Sequence, residues 1–268
     1  MSESVEPPTT GRRGPWASIV YWFDNENGIE SPTGDLNRID WFRTLPFVLM
    51  HLGCFGIFFF GFSWAAVILA IALYLIRMFA ITAFYHRYFS HRAFKTSRGV
   101  QFLFALIGAC SIQRSPIWWA AHHRHHHAHS DAPDDTHSPV QRGFLWSHMV
   151  WFLCRQNFTT RKHLIRDWMK FPELVFLDRY DTLVPALFGL AIYGLGEALQ
   201  WVAPEWNTNG AQFLSWGFFL STVILYHATF TVNSLAHVWG SRRYATRDDS
   251  RNNPLLALIT LGEGWHNN

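Results

Sequence analysis

Residues 44–76 read TLPFVLMHLGCFGIFFFGFSWAAVILAIALYLI, 33 positions without an Asp, Glu, Lys or Arg. The apolar character continues past Arg77 to Phe84. A membrane-spanning helix takes about 20 residues, so the 40 residues from Leu45 to Phe84 suit two spans. Gly61-Phe62-Ser63-Trp64 is the natural turn between them. A second pair lies near the C-terminus. Thr182 to Trp201 carries one charge, Glu197, and Trp206 to Ser241 carries none. Pro204 and the Asn207–Gly210 stretch mark the turn there. The expected fold is an all-α integral membrane protein. Its four transmembrane helices form two hairpins, with spans at about 45–61, 64–84, 182–201 and 211–237. An unusually apolar soluble core is the competing reading, and uncharged runs of this length speak against it.

Composition agrees with a membrane protein. Charged residues are 15% of the 268, against about 25% in soluble domains. Aromatics are 17%, with 24 Phe and 14 Trp. A disordered chain, a coiled coil and a disulfide scaffold are excluded. Cys54, Cys110 and Cys154 stand far apart with no CxxC pair, so neither a zinc knuckle nor a redox dithiol is expected. A net charge of +3 makes no case for a nucleic-acid partner. No internal repeat appears, and residues 1–268 read as one domain. Residues 1–15, with Pro7, Pro8 and Pro15, read as a flexible tail, and no cleavable signal peptide precedes the first span.

The basic residues set the orientation. Four spans place the N-terminal segment, the middle and the tail on one side. All Lys and Arg fall there except Arg77, which lies within a span, and both short opposite loops hold none. The positive-inside rule therefore predicts a cytoplasmic helical cap. Within it, Val100–Ala121 is apolar but interrupted by Arg114 and Pro116, which suits an interfacial helix better than a fifth span. Gly143–Cys154 is a second interfacial candidate.

The cap collects the histidines. Of 15 in the chain, seven lie between His122 and His137. His86 and His91 follow the second span, the run His122–His127 follows the interfacial helix, His237 ends the fourth span, and His266 lies near the end. Topology alone thus puts four groups on one membrane face. Spacing adds a second argument, since residues at i, i+3 and i+4 share a helix face. His123, His126 and His127 fit that spacing, and so do His122, His125 and His126, so the register stays open. Asn233 and His237 are an i,i+4 pair. His86 and His91 are five apart, about 140° around an ideal α-helix, so they can share a metal only at a helix end or distortion. Neutral imidazole suits iron, zinc or copper. His51, inside the first span, reads as a hydrogen-bond partner of a neighbouring helix, His227 as polar packing, and His148 and His163 as surface or lipid-interface residues.

At these motifs the sequence resembles the membrane-bound fatty acyl-CoA desaturases of the stearoyl-CoA (Δ9) type. The resemblance rests on five stretches. They are His86-x4-His91, His123-Arg-x-His126-His127 with Ser130-Asp131, Arg142-Gly143-Phe144 with Ser147-His148, Asn233-Ser234-Leu235-Ala236-His237, and Gly262-Glu263-Gly264-Trp265-His266-Asn267. It selects the His123, His126, His127 register. It implies two iron ions held by His86, His91, His123, His126, His127, His237 and His266, with Asn233 acting through a water. Asp131 and Glu263 are candidates to fix imidazole tautomers. It further implies an oxygen-dependent enzyme that puts a cis double bond into a long-chain saturated acyl thioester, with acyl-CoA as the expected carrier. Dioxygen, membrane lipid and a separate electron-donor protein with its reductase are the implied partners, because the chain has no flavin, dinucleotide or cytochrome motif. Trp118, Trp119, Trp146, Thr229 and Phe230 are candidate tunnel residues. Arg142 and Arg155 are candidates for the carrier's phosphates.

The chain departs from the family pattern at its end. The last box would continue after Asn268 with two more histidines, and the expectation is that the native protein runs on. Ala121 and His122 stand where relatives often have polar or charged groups, and Gln156 stands where many have a second base after Arg155; fewer positive groups weaken the acyl-CoA expectation. Rival readings are a related diiron hydroxylase, a catalytically defective relative and a metal-binding or metal-transporting membrane protein. Transport would call for ionisable residues along the spans. Those spans hold little beyond His51, Arg77, Glu197 and His227.

Overall fold

The computed structural model describes residue 20, residues 22–26 and residues 37–268. The tail expected at residues 1–15 lies outside them. All regular elements among the described residues are helical, and extended pairing is confined to isolated bridges such as Asn252 with Trp265. Four helices are long and apolar enough to cross a membrane: α1 (Trp41–Phe60), α2 (Trp64–Ser90), α6 (Leu183–Val202) and α7 (Gly210–His237). Between the hairpins lie α3 (Arg98–Ala109), α4 (Pro116–His129) and α5 (Pro172–Arg179), and α8 (Pro254–Ile259) follows α7. Outward side chains such as Phe58 (76% exposed), Phe59 (82%) and Trp201 (84%) give the bundle an apolar exterior, which lipid satisfies and water does not.

Local sequence explains the helix limits. Asp40 starts α1 by accepting a hydrogen bond from Arg43 N at 3.2 Å, so the helix begins before the expected residue 45. Ser63 caps α2 through Ala66 N, after a turn in which Gly61 takes φ 77°. Such a left-handed conformation favours glycine. Ser115 caps α4 through Trp118 N, with Pro116 in the first turn. At the end remote from the histidines, Gln212 accepts from Ser63 Oγ (2.6 Å) and Thr208 Oγ1 (2.9 Å) and donates to Phe60 O (3.2 Å). One buried amide thus ties the two hairpins together.

Two features matter for what the bundle carries. First, α2 continues past the expected residue 84, and its last 11 residues, Ala80–Ser90, form a π-helix. His91 N donates to His86 O at 3.1 Å, an i to i−5 bond. This winding is the distortion that two histidines five apart need in order to meet. Second, Arg77 is buried inside the bundle. It donates to Leu73 O, Cys110 O, Ser221 Oγ and Thr222 Oγ1 at 2.6–3.1 Å. Its guanidinium therefore binds α2 to α7 and to the carbonyl end of α3, the partially negative end of that helix.

Candidate metal centre

Three helix ends and the C-terminal turn supply the site. The π-helical end of α2 contributes His86 and the adjoining His91. One face of α4 contributes His123, His126 and His127. The end of α7 contributes Asn233 and His237, and the turn after α8 contributes Glu263 and His266. The side chains form two adjacent donor groups. His86, His91, His123 and His127 place one ring nitrogen each within 4.8 Å of one another, and so do His126, His237 and His266.

In the first group the Nε2 atoms converge. The separations are 2.9 Å for His86–His91, 2.9 Å for His91–His123 and 3.0 Å for His123–His127. A ring nitrogen can donate one proton or accept one, not both. Each nitrogen carries one proton or one lone pair, so four in a row form at most two full hydrogen bonds, and the third close contact has no proton or lone pair of its own. A cation accepting all four lone pairs resolves the conflict, so the donor set fits a metal ion. In the second group each histidine that has a carboxylate partner leaves its Nε2 for the interior. His126 Nδ1 donates to Asp135 Oδ2 at 2.9 Å, and His237 Nδ1 to Asp131 Oδ2 at 2.9 Å. His237 Nε2 is buried with no protein partner. His86 Nδ1 likewise touches Glu263. Orientation of imidazole by a carboxylate is the usual support of a metal-binding histidine.

Electrostatics favour the neutral, metal-ready form. Burial, then the neighbouring His86 and Arg124, push His91 down to about 4. Burial with His126 and His91 pushes His127 down to about 3. His123 and His266 are held well below the ordinary histidine value by burial and adjacent imidazoles. Burial alone would raise the Asp131 carboxyl. Hydrogen bonds from His237, Ser138 and Asp249 N overcome it and hold the group below the usual carboxylate range.

The other face of α4 joins neither donor group, although His122 lines the cavity beside them. His122 Nε2 meets Thr159 O at 3.3 Å with its ring against Trp118, and His125 stacks on His129. Several supporting residues were not assigned a role from sequence. Asp135 and His137 form a third group with His126. Arg124 sits between the histidines of α4 and faces outward from them. It grips Asp167 with two bonds of 2.9 and 3.0 Å and also bonds Ser90 O, Phe89 O and Leu164 O. Asn267 accepts from the backbone of Arg243 and Tyr244 and donates to Ser250 Oγ, which holds the His266 turn in place. Arg124 and Asn267 stood within the sequence motifs, as neighbours of His123 and His266.

A cavity of about 400 Å³ adjoins both groups. Its lining includes His123, His126, His266 and Asn233, together with Trp118, Trp119, Phe152, Thr229 and Phe230. Three expected substrate residues lie outside this lining. Arg142 stacks on Trp146 at 4.5 Å and bonds Asn37, Trp146 donates to Thr136 O, and Arg155 is an exposed residue whose backbone N–H bonds Arg38 O. The cations along the cavity are instead Arg43 and Arg114, and Arg114 pairs with Asp181 at 3.1 Å. His51 meets a neighbouring helix as expected, and His51, His227 and His148 form one hydrogen-bonded chain. His51 Nε2 meets His227 Nε2 at 3.2 Å, and His227 Nδ1 meets His148 Nε2 at 3.0 Å.

Comparison with known proteins agrees with this geometry. The family model described as fatty acid desaturase matches residues 62–268. The chain is 36% identical over 250 residues to an sn-2 palmitoyl-lipid 9-desaturase of Nostoc sp. (strain 36), covering 91% of this chain and 82% of that one. It is 38% identical over 213 residues to the chloroplastic palmitoyl-monogalactosyldiacylglycerol delta-7 desaturase of Arabidopsis thaliana, covering 78% of this chain but only 54% of that protein. An acyl-CoA 5-desaturase of Anemone leveillei is 34% identical over 235 residues, covering 87% of this chain and 69% of its own. With helices suited to crossing a membrane and histidine groups able to hold metal beside an apolar cavity, the chain belongs to the fatty acid desaturase family.

Proposed function

We propose that this protein introduces a cis double bond into a long-chain saturated fatty acyl group, using dioxygen and electrons from a separate carrier protein. One observation carries the reading. His123, His126 and His266, members of the two donor groups, also line the apolar cavity, so an extended chain lying there passes directly beneath both groups. The overall change consumes one dioxygen, two electrons and two protons, and yields the alkene and two waters. Residues 1–268 act as one domain. The histidine face lies on the cytoplasmic side, a reading supported by the crowding of basic residues there.

His86, His91, His123, His127, His126, His237 and His266 would hold two iron ions, with Asn233 acting through a water. Bound iron would supply the oxidising power, drawn from dioxygen, that removal of hydrogen from an unactivated chain requires. The protein's own part is positional. Asp131, Asp135 and Glu263 keep protons on the Nδ1 atoms of His237, His126 and His86, and so present Nε2 lone pairs inward. Trp118, Trp119, Phe152 and Phe230 hold one stretch of chain against the site and exclude water. The Thr229 hydroxyl is already occupied by Gln113 and Leu225 O, so it presents no free polar group to the chain.

A membrane-lipid acyl group is the carrier form these features favour. Arg142 and Arg155 stand off the cavity, Arg114 is paired with Asp181, and two of the relatives above are named for lipid-linked acyl groups. The acyl-CoA form is the second reading, favoured by the Anemone relative. The test is product analysis with chain-labelled saturated phospholipid and, separately, acyl-CoA, in membranes supplied with an electron donor. A monounsaturated product is expected. A hydroxylated product alone would replace the proposal with the hydroxylase reading, and labelled product only from acyl-CoA would reverse the choice of carrier.

A further inference from the structure

Part of the cavity wall comes from outside the helical bundle. Trp22, Phe23 and Asn25 lie ahead of α1, yet they line the cavity beside Arg43 of α1 and Thr182 and Pro185 at the head of α6. Trp22 bridges the two hairpins. Its Nε1 donates to Phe42 O at 3.1 Å, its ring stacks on Phe42 at 4.7 Å, and its carbonyl accepts from Thr182 Oγ1 at 3.0 Å. Asn25 N donates to Arg179 O at 2.9 Å and its amide donates to Asp178 O at 2.8 Å.

The inner side of this strap is largely aromatic, and its outer fastening is ionic. Arg179 grips Asp24 with bonds of 3.0 and 2.8 Å. Glu26 reaches Lys162 at 2.9 Å and Arg179 at 3.5 Å. The side chains of Arg179, Glu26 and Lys162 are 37%, 40% and 46% exposed. The Glu26 pairs, exposed on both sides, are weak and screened by salt, whereas Arg179 holds a buried Asp24, 8% exposed, by two bonds. The Glu26 pairs are therefore the salt-sensitive part of the strap's fastening, while the rest of the wall is built from packed helices. On either side of it Phe42 and Leu45 of α1, and Leu183 and Leu187 of α6, turn apolar side chains outward. The strap thus stands between the cavity and the exposed apolar side chains at the heads of α1 and α6.

We propose that residues 22–26 form the lateral portal of the cavity, an ion-latched strap that swings aside to let an acyl chain pass from the bilayer into the site. Its cargo is an acyl chain still carried by a membrane lipid. The inference rests on the acyl-desaturating reading above. Its test reads cavity occupancy and not double bonds, so the two can fail separately.

The experiment places the full chain in phosphatidylcholine vesicles containing a tracer phosphatidylcholine with a photoreactive diazirine midway along one stearoyl chain. Flashes at increasing delays are followed by mass spectrometry of the peptides bearing Met50, Thr229 and Phe230, which the cavity exposes. Labelling of these peptides should appear faster at high salt than at low salt. Arg179→Ala should bring the fast rate to low salt and remove the salt dependence. Glu26→Gln, an exposed change that leaves folding intact, should move part of the way. Equal rates and equal salt dependence in all three proteins would make the strap a fixed wall and overturn the proposal. Cavity labelling from a diazirine acyl-CoA but never from the lipid tracer would overturn it as well.

Discussion

His237 Nδ1 donates to Asp131 Oδ2 at 2.9 Å, and the opposite nitrogen, Nε2, is buried without a protein partner. The same carboxylate accepts from Asp249 N at 2.8 Å and Ser138 Oγ at 2.6 Å, so it is itself held rigidly. Asp131→Asn keeps the shape and loses the charge that fixes the tautomer. Loss of such a partner costs roughly 10–100-fold in metal affinity. Iron titration of the stripped protein should show one weakened site and one unchanged site. Two unchanged sites would remove Asp131 from the centre.

The two faces of α4 should separate cleanly. His126→Ala should lower bound iron and abolish double-bond formation while membrane insertion stays intact. His122 meets Trp118 and Thr159 O and belongs to neither donor group, so His122→Ala should keep its iron. Equal iron loss in the two variants would show that the wrong face has been assigned.

Acid should weaken the iron-free fold through buried neutral histidines. His122 is pushed down to about 3 by burial and by Arg161, and His125 to about 4 by the same causes. In the unfolded chain both titrate near about 6.5. Below that value the unfolded state binds protons that the folded state refuses, so stability falls as pH drops from about 6.5 toward 4. Melting temperatures of the iron-free protein at pH 7 and pH 5 should show the loss, and His122→Gln should reduce the difference between them. A difference of the same size in the variant would place the acid sensitivity elsewhere.

The His51–His227–His148 chain should behave as coupled, not as separate packing residues. His51 Nδ1 donates to Phe47 O, so its Nε2 accepts from His227. His148 Nδ1 reaches Ser234 Oγ, next to Asn233. Interhelical hydrogen bonds in membranes average about 0.6 kcal/mol, with an upper range near 1.7. A double-mutant cycle of His51→Leu and His227→Leu should give a coupling of that size in unfolding from detergent. Strict additivity would show that the bond contributes nothing.

Much of this protein was legible without coordinates. Uncharged runs are set by the cost of placing charge in hydrocarbon, so they read directly as four spans. The i, i+3, i+4 rule limited α4 to two faces, and the resemblance chose between them. Distances of five residues were harder, because His86 and His91 meet only through the π-helical winding of Ala80–Ser90. That winding depends on packing and not on local preference.

The remainder was decided by tertiary structure, because it depends on which distant residues the fold brings together. Asp135 lies nine positions after His126 and past the end of its helix, with no periodicity to connect them. His51 and His227 are 176 positions apart and meet inside the bundle. Arg142 and Arg155 had the right charge but point to Asn37 and to the exposed surface, while Trp22 and Asn25 reach the cavity from a segment with no sequence motif. Sequence determined how many helices are long and apolar enough to cross, since hydrophobic length acts locally. Which side chains share a cavity, a proton or a lone pair is a property of three-dimensional packing, where separation along the chain sets no limit on contact.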